Sequence, residues 1–242
     1  MNHLISGQIG SGKTYYAVKN FIIPSLKQGR FVYTNIDLGH TYIYDVWSKF
    51  SHYIGRDISK FINVITDTPA FLENLRLISY DENGSRLPRG SVVIIDEAHQ
   101  VFNYLQTNYI NKQVYEFLAY SRHFNIDLVF ITQSPELLSK FVINLCNNFI
   151  SVYNLKQNSS LFKNTCRVEI RPTFTGWVTE KRILKFDKEI FSLYRSFVGD
   201  TDESVFKRSI FPSGFGKPLL GLVLVIVAFF FVLVKGVGYL KI

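Results

Sequence analysis

Residues Gly7-Gln8-Ile9-Gly10-Ser11-Gly12-Lys13-Thr14 fit the spacing G-x-x-x-x-G-K-[ST] in full. Each residue type has a task at a polyphosphate. Glycines let the backbone turn its N–H groups inward and come close to the phosphates. The helix that must follow directs its positive end at the same anion. Lys13 is placed to reach the β- and γ-phosphates, and the Thr14 hydroxyl to bind Mg2+. ATP and Mg2+ are therefore the expected ligands, with Gly7 to Thr14 as the binding segment. A bare glycine turn before a helix is the other reading. A short apolar strand before the loop and an apolar-periodic helix after it favour the phosphate site.

A second polar group follows the apolar run Val92-Val93-Ile94-Ile95. An acid at the C-terminal end of a parallel strand faces the crevice where ligands bind. Asp96 is expected to hold Mg2+, directly or through water, and Glu97 to polarise the attacking water. The pair also suits a helix start, with Asp96 capping a segment from Ala98. Gln133 follows the run Asp127-Leu128-Val129-Phe130-Ile131-Thr132, either as a γ-phosphate sensor or as a strand-end turn residue. Arg122 ends a helical stretch, either as an arginine finger given to a neighbouring subunit or as a surface arginine near a helix C-terminus.

These residues need a rigid frame. Residues 30–37, 91–96, 127–133 and 148–154 read as strands, and residues 111–123 and 136–144 as helices. Strands alternating with helices predict an α/β fold: a P-loop NTPase with a mostly parallel sheet flanked by helices. Residues 1–153 form the expected core, with 38–90 as an insert. Residues 154–211 read as a small β-rich extension. A joint over 212–218 contains Pro212, Gly214 and Gly216.

Residues 219–240 read as one transmembrane helix. Leu219 to Val234 carries neither charge nor proline. At ~1.5 Å per residue it covers about 24 Å of a hydrocarbon core roughly 30 Å thick. Lys235 snorkelling to the interface supplies the remaining length. A buried core helix and a re-entrant hairpin are the alternatives. Residues 1–6 lack the basic and apolar regions of a signal peptide, which predicts a cytoplasmic N-terminal part.

The net charge of +8 fits an anionic partner, nucleic acid or acidic lipid, and equally fits a general basic bias. Cys146 and Cys166 are too few for a disulfide framework and lack metal-ligand spacing. Charged residues at 19% and aromatics at 16% describe a folded chain.

From Met1 to about Ser196 the sequence resembles the zonula occludens toxin (Zot) family, which includes the filamentous-phage assembly ATPases called gene I proteins. The resemblance rests on the phosphate loop, Tyr33-Thr34-Asn35-Ile36, Val93 to Phe102, Ser121 to Asp127, Ile131-Thr132-Gln133 and Phe191 to Ser196. It implies an ATPase of the host inner membrane with its nucleotide-binding domain in the cytoplasm. It implies a single spanning helix, a homo-oligomeric ring and phage coat or other assembly proteins as partners. On that reading Lys13, Thr14, Asp96 and Glu97 carry the hydrolysis that drives assembly and extrusion of filamentous phage particles through the host envelope. Family members commonly carry a sizeable extracytoplasmic domain after the helix, whereas this sequence stops at Ile242. A genome-packaging, DNA-translocating ATPase of a membrane-containing virus is the competing reading, because the same chemical parts serve it and the charge suits DNA. A membrane scaffold that uses the loop as a nucleotide switch is the non-enzymatic one.

Overall fold

The structure, a computed structural model, describes residues 1–38, 45–67, 70–71, 73–75, 87–105, 112–155 and 164–194. Among these residues eight strands form one sheet: β1 (Asn2–Ser6), β2 (Val32–Thr34), β3 (Ile62–Val64), β4 (Val92–Ile95), β5 (Asp127–Thr132), β6 (Asn148–Asn154), β7 (Thr165–Arg171) and β8 (Glu180–Lys185). Their order is β3-β2-β4-β5-β1-β6-β7-β8. Every pair from β3 to β6 is parallel, while β6-β7 and β7-β8 are antiparallel. The stretch read as a β-rich extension thus contributes strands to the same sheet.

The parallel strands are apolar along their length because both faces are covered. Val93, Ile94 and Ile95 are fully buried, as are Leu128 to Ile131. One face packs on α1 (Lys13–Ala17) and α2 (Ile23–Lys27) through Tyr15, Ala17, Ile23 and Leu26. The opposite face packs on α4 (Ala98–Val101), α5 (Lys112–Tyr120) and α6 (Lys140–Leu145) through Val101, Phe117, Leu118 and Val142. A π-helical turn, Val18–Ile22, joins α1 to α2. It lies just before Pro24, which has no N–H to donate four residues back. In the 38–90 segment, α3 (Asp45–Ile54) leads to β3 at the sheet edge.

Three elements depart most from the bounds the sequence predicts. β2 keeps only Val32–Thr34 of the 30–37 run. Within 136–144, Pro135–Leu137 form a 3-10 turn, and the helix starts after Ser139, whose hydroxyl accepts from the Val142 N–H at 3.4 Å. The helix over 111–123 ends at Tyr120 and continues as a 3-10 turn, Ser121–Phe124, closed by Asn125 in the left-handed region.

After β8 the chain returns to α1. The Asp187 N–H donates to the Tyr15 hydroxyl at 2.9 Å, and Phe186 meets the Tyr15 ring edge-on at 4.9 Å. Ile190 of α7 (Lys188–Phe191) and then Leu193 and Tyr194 join the same core. Among the described residues no helix is long and apolar enough to cross a membrane. The 212–218 joint and the 219–240 span lie outside the described residues.

Candidate nucleotide site

The phosphate loop leaves β1 in the middle of the sheet. Its geometry demands glycine. A Cβ on Gly7 would stand 2.3 Å from the Val152 carbonyl oxygen on the neighbouring strand. Gly12, which precedes α1, has φ +97°, and a Cβ there would meet the Phe186 ring at 2.8 Å. Within the loop the Ser11 N–H donates to the Gln8 carbonyl at 3.1 Å. The Lys13 ammonium donates to the same carbonyl at 3.0 Å. Asn154, at the end of β6, donates to the Gly10 carbonyl at 2.9 Å. The N–H groups of the first turn of α1 have no intrahelical acceptor by construction.

The Asp-Glu pair comes to this loop. β5 lies between β1 and β4, and the register puts Ser6 beside Thr132 and Ile95 beside Phe130. The C-terminal ends of all three strands therefore share one edge. There the Thr14 hydroxyl donates to Asp96 Oδ2 at 3.1 Å. The Glu97 N–H donates to Asp96 Oδ1 at 2.9 Å. Asp96 thus heads β4 with both oxygens engaged, and it is not a side-chain cap on α4.

Glu97 takes the left-handed backbone conformation, φ 50° and ψ 43°. A non-glycine residue there stores roughly 1–3 kcal/mol of strain. Gln133 donates from Nε2 to Glu97 Oε1 at 2.6 Å. Glu97 Oε2 is buried, makes no hydrogen bond among the described residues and stands 3.3 Å from His99 Nδ1. His99 Nδ1 also lies 3.1 Å from the Thr132 hydroxyl.

Burial governs the charges. Desolvation lowers the Lys13 pKa, and the Glu97 and Asp96 carboxylates pull it back up. Desolvation raises the Asp96 pKa and the Glu97 charge adds to it, against the Glu97 N–H, the Thr14 hydroxyl and Lys13. A carboxylate held at such a cost beside a threonine hydroxyl is a fitting partner for a divalent cation. The donor set of Thr14 and Asp96 is all oxygen, as Mg2+ requires.

Gly7 to Thr14, Asp96, Glu97 and Gln133 are therefore brought together. Arg122 is not. It is exposed before the start of β5, at the opposite edge of the sheet, and bonds the Leu145 carbonyl at 3.4 Å and the Asn147 side chain. The sequence analysis missed Asn35 and His99. Asn35 follows β2 and bonds the backbone of Asp96 on the adjacent strand. The available signal was a polar residue closing an apolar strand run, the pattern that also marks Thr132-Gln133.

A loop of this form after the central strand, joined to an acidic pair one strand beyond its neighbour, defines a P-loop NTPase fold. A solved ATPase domain, 16% identical, superposes with a TM-score of 0.50 over 78% of this chain and 82% of its own. The chain belongs to the zonular occludens toxin (Zot) family, whose profile matches residues 1–200. The N-terminal domain of zonular occludens toxin from Neisseria meningitidis is 21% identical, with a TM-score of 0.49 over 80% of this chain and 98% of that one. A putative assembly protein, ORF301 of Pseudomonas phage Pf3, is 29% identical over 222 residues. That match takes in 86% of this chain but 62% of the relative's length.

Proposed function

We propose that the chain is a Mg2+-dependent ATPase, anchored in the host inner membrane, that drives assembly and extrusion of filamentous phage particles. The observation that carries the ATPase reading is the 3.1 Å hydrogen bond from Thr14 to Asp96, which ties the phosphate loop to the acidic pair. Family membership and the likeness to a phage assembly protein support the role in assembly. Lys13 and the loop N–H groups bind the polyphosphate. Thr14 and Asp96 would hold Mg2+, which neutralises charge on the β- and γ-phosphates. Glu97 orients a water for attack on the γ-phosphorus, and ADP leaves. The apolar 219–240 segment anchors the chain, with residues 1–194 in the cytoplasm where ATP is found. Subunits assemble into a ring that acts on coat or other assembly proteins.

The test is Mg2+-dependent ATP hydrolysis by the full chain in detergent, with Glu97→Gln alongside. Hydrolysis abolished by Glu97→Gln supports the motor. ATP binding without hydrolysis under any condition sinks it and favours a nucleotide switch. Stimulation by double-stranded DNA moves the reading to genome packaging.

A further inference from the structure

The outer strands β6, β7 and β8 carry a surface that hydrolysis does not use. Register sets Phe149, Ser151 and Tyr153 of β6 opposite Arg171, Glu169 and Arg167 of β7. It sets Glu169 and Arg167 opposite Lys181 and Ile183 of β8. The alternate residues Ile150, Val152, Cys166 and Val168 point into the core shared with α1. The first set therefore faces the other way.

That second face mixes cations with exposed rings. Glu169 is buried and accepts from Arg171 at 2.9 Å, with Arg167 at 3.3 Å and Lys181 at 4.0 Å. Three cations on one carboxylate leave an excess of positive charge. Lys185 extends it along β8, opposite Thr165. The Arg167 guanidinium lies 4.9 Å from the Tyr153 ring centroid. Ile183 is 65% exposed, and the β7–β8 connection carries Trp177, 93% exposed, and a half-exposed Phe174 whose ring meets Phe149 of this face edge-on at 5.7 Å. A buried glutamate needs cations, which accounts for Arg171 structurally. It does not account for an indole left in water or for a third and fourth cation at the rim.

The face also touches the nucleotide site. Tyr153 and Arg167 line a cavity of about 430 Å3 together with Gly7, Gln8 and Gln133. Arg171 donates to the Ser151 hydroxyl at 2.8 Å, and that hydroxyl lies 3.5 Å from Ser6, the residue before the loop.

We propose that this face binds single-stranded nucleic acid, with phosphates on Arg167, Lys181 and Lys185 and bases stacked on Tyr153, Phe174 and Trp177. Excess positive charge selects a polyanion. Exposed rings select unpaired bases, because a duplex keeps its base faces stacked internally. The proposal deepens the assembly-motor reading by naming the cargo class that the cytoplasmic domain contacts.

The test is fluorescence anisotropy of a labelled oligo(dT) with the full chain in detergent, without nucleotide, over a salt series. A failure of ATP hydrolysis leaves this measurement standing, so the two readings fail separately. Wild type is expected to bind more weakly as salt rises, and to prefer oligo(dT) to a duplex of equal length. Trp177→Ala weakens binding by roughly five- to a hundredfold. Lys181→Ala lowers the salt slope by about 0.7. Both side chains are exposed, so the folds survive, and melting curves check it. Oligo(dT) binding by both variants equal to wild type overturns the proposal. So does loss of self-association with DNA binding unchanged, which would make the face a contact between copies of the chain.

Discussion

Asn35 closes on the backbone of Asp96 from both sides. Its Oδ1 accepts from the Asp96 N–H at 2.6 Å, and its Nδ2 donates to the Asp96 carbonyl at 2.9 Å. A side-chain amide holds its acceptor oxygen and its donor nitrogen at a fixed separation, and both atoms are engaged here. The end of β4 is thereby fixed where Asp96 must meet Thr14.

Asn35→Leu removes both partners from backbone groups that water reaches poorly. A loss of about 2 kcal/mol in urea unfolding is expected, within the usual cost of stranded polar groups. Hydrolysis should fall while ATP affinity falls less, because the phosphate loop is untouched. Asn35→Asp keeps the acceptor, loses the donor and adds a charge beside Asp96. It should be at least as damaging to hydrolysis. Wild-type stability and turnover in Asn35→Leu would refute the bracket.

Gly7→Ala tests the closest approach at the site. The new methyl would sit 2.3 Å from the Val152 carbonyl, a backbone atom on a paired strand. Either β1 and β6 separate or the loop shifts. A drop in melting temperature with loss of ATP binding is expected. Gly55→Ala serves as the comparison, since a Cβ there meets nothing within 4 Å. It pays only the cost of φ +80°.

His3 makes stability depend on pH. Burial, then the nearby N-terminal charge, hold its pKa down from 6.5 to about 4, against Asp127. The folded state therefore favours the neutral ring. The stabilisation is complete above about 6.5, where the unfolded chain also loses the proton, and it fades as the pH falls towards about 4. Denaturant midpoints should decline across that window in wild type and decline less in His3→Gln. Asp96 acts in the opposite sense. Its raised pKa means that acid favours the folded state, so Asp96→Asn should raise stability at neutral pH while abolishing hydrolysis. A lower melting point for Asp96→Asn would contradict the burial cost.

The sheet was legible because its central strands are continuous apolar runs. β5 and β6 fall within a residue of the stretches read from Asp127 and Asn148. β3 was not legible. Three residues, Ile62-Asn63-Val64, give no periodicity, and only pairing with Val32 to Thr34 makes them a strand. The loop and the acidic pair were legible from spacing, since phosphate chemistry fixes both. Gln133 could be named but its partner could not, because only the placement of β5 between β1 and β4 brings it to Glu97. Arg122 precedes a parallel strand, so it lies at the edge remote from its own chain's site, and spacing alone does not separate a surface arginine from one offered to a neighbouring subunit.

Gln133 holds Glu97 through one carboxylate oxygen at 2.6 Å, while the other oxygen stands beside His99. Such a carboxylate has two options. If the bond sets Glu97 at the angle needed to orient water, removing it costs rate. If the bond restrains Glu97 away from the water, removing it raises rate. The first is favoured because Gln133 engages only Oε1 and leaves Oε2, which makes no hydrogen bond among the described residues, as the acceptor available to a water. Gln133→Ala should lower kcat by about one to two orders of magnitude, the scale of a misplaced catalytic group. ATP affinity should stay within about twofold, since no loop contact changes. Gln133→Glu, which sets one carboxylate against another, should be worse. A rise in kcat for Gln133→Ala would assign the bond to restraint instead.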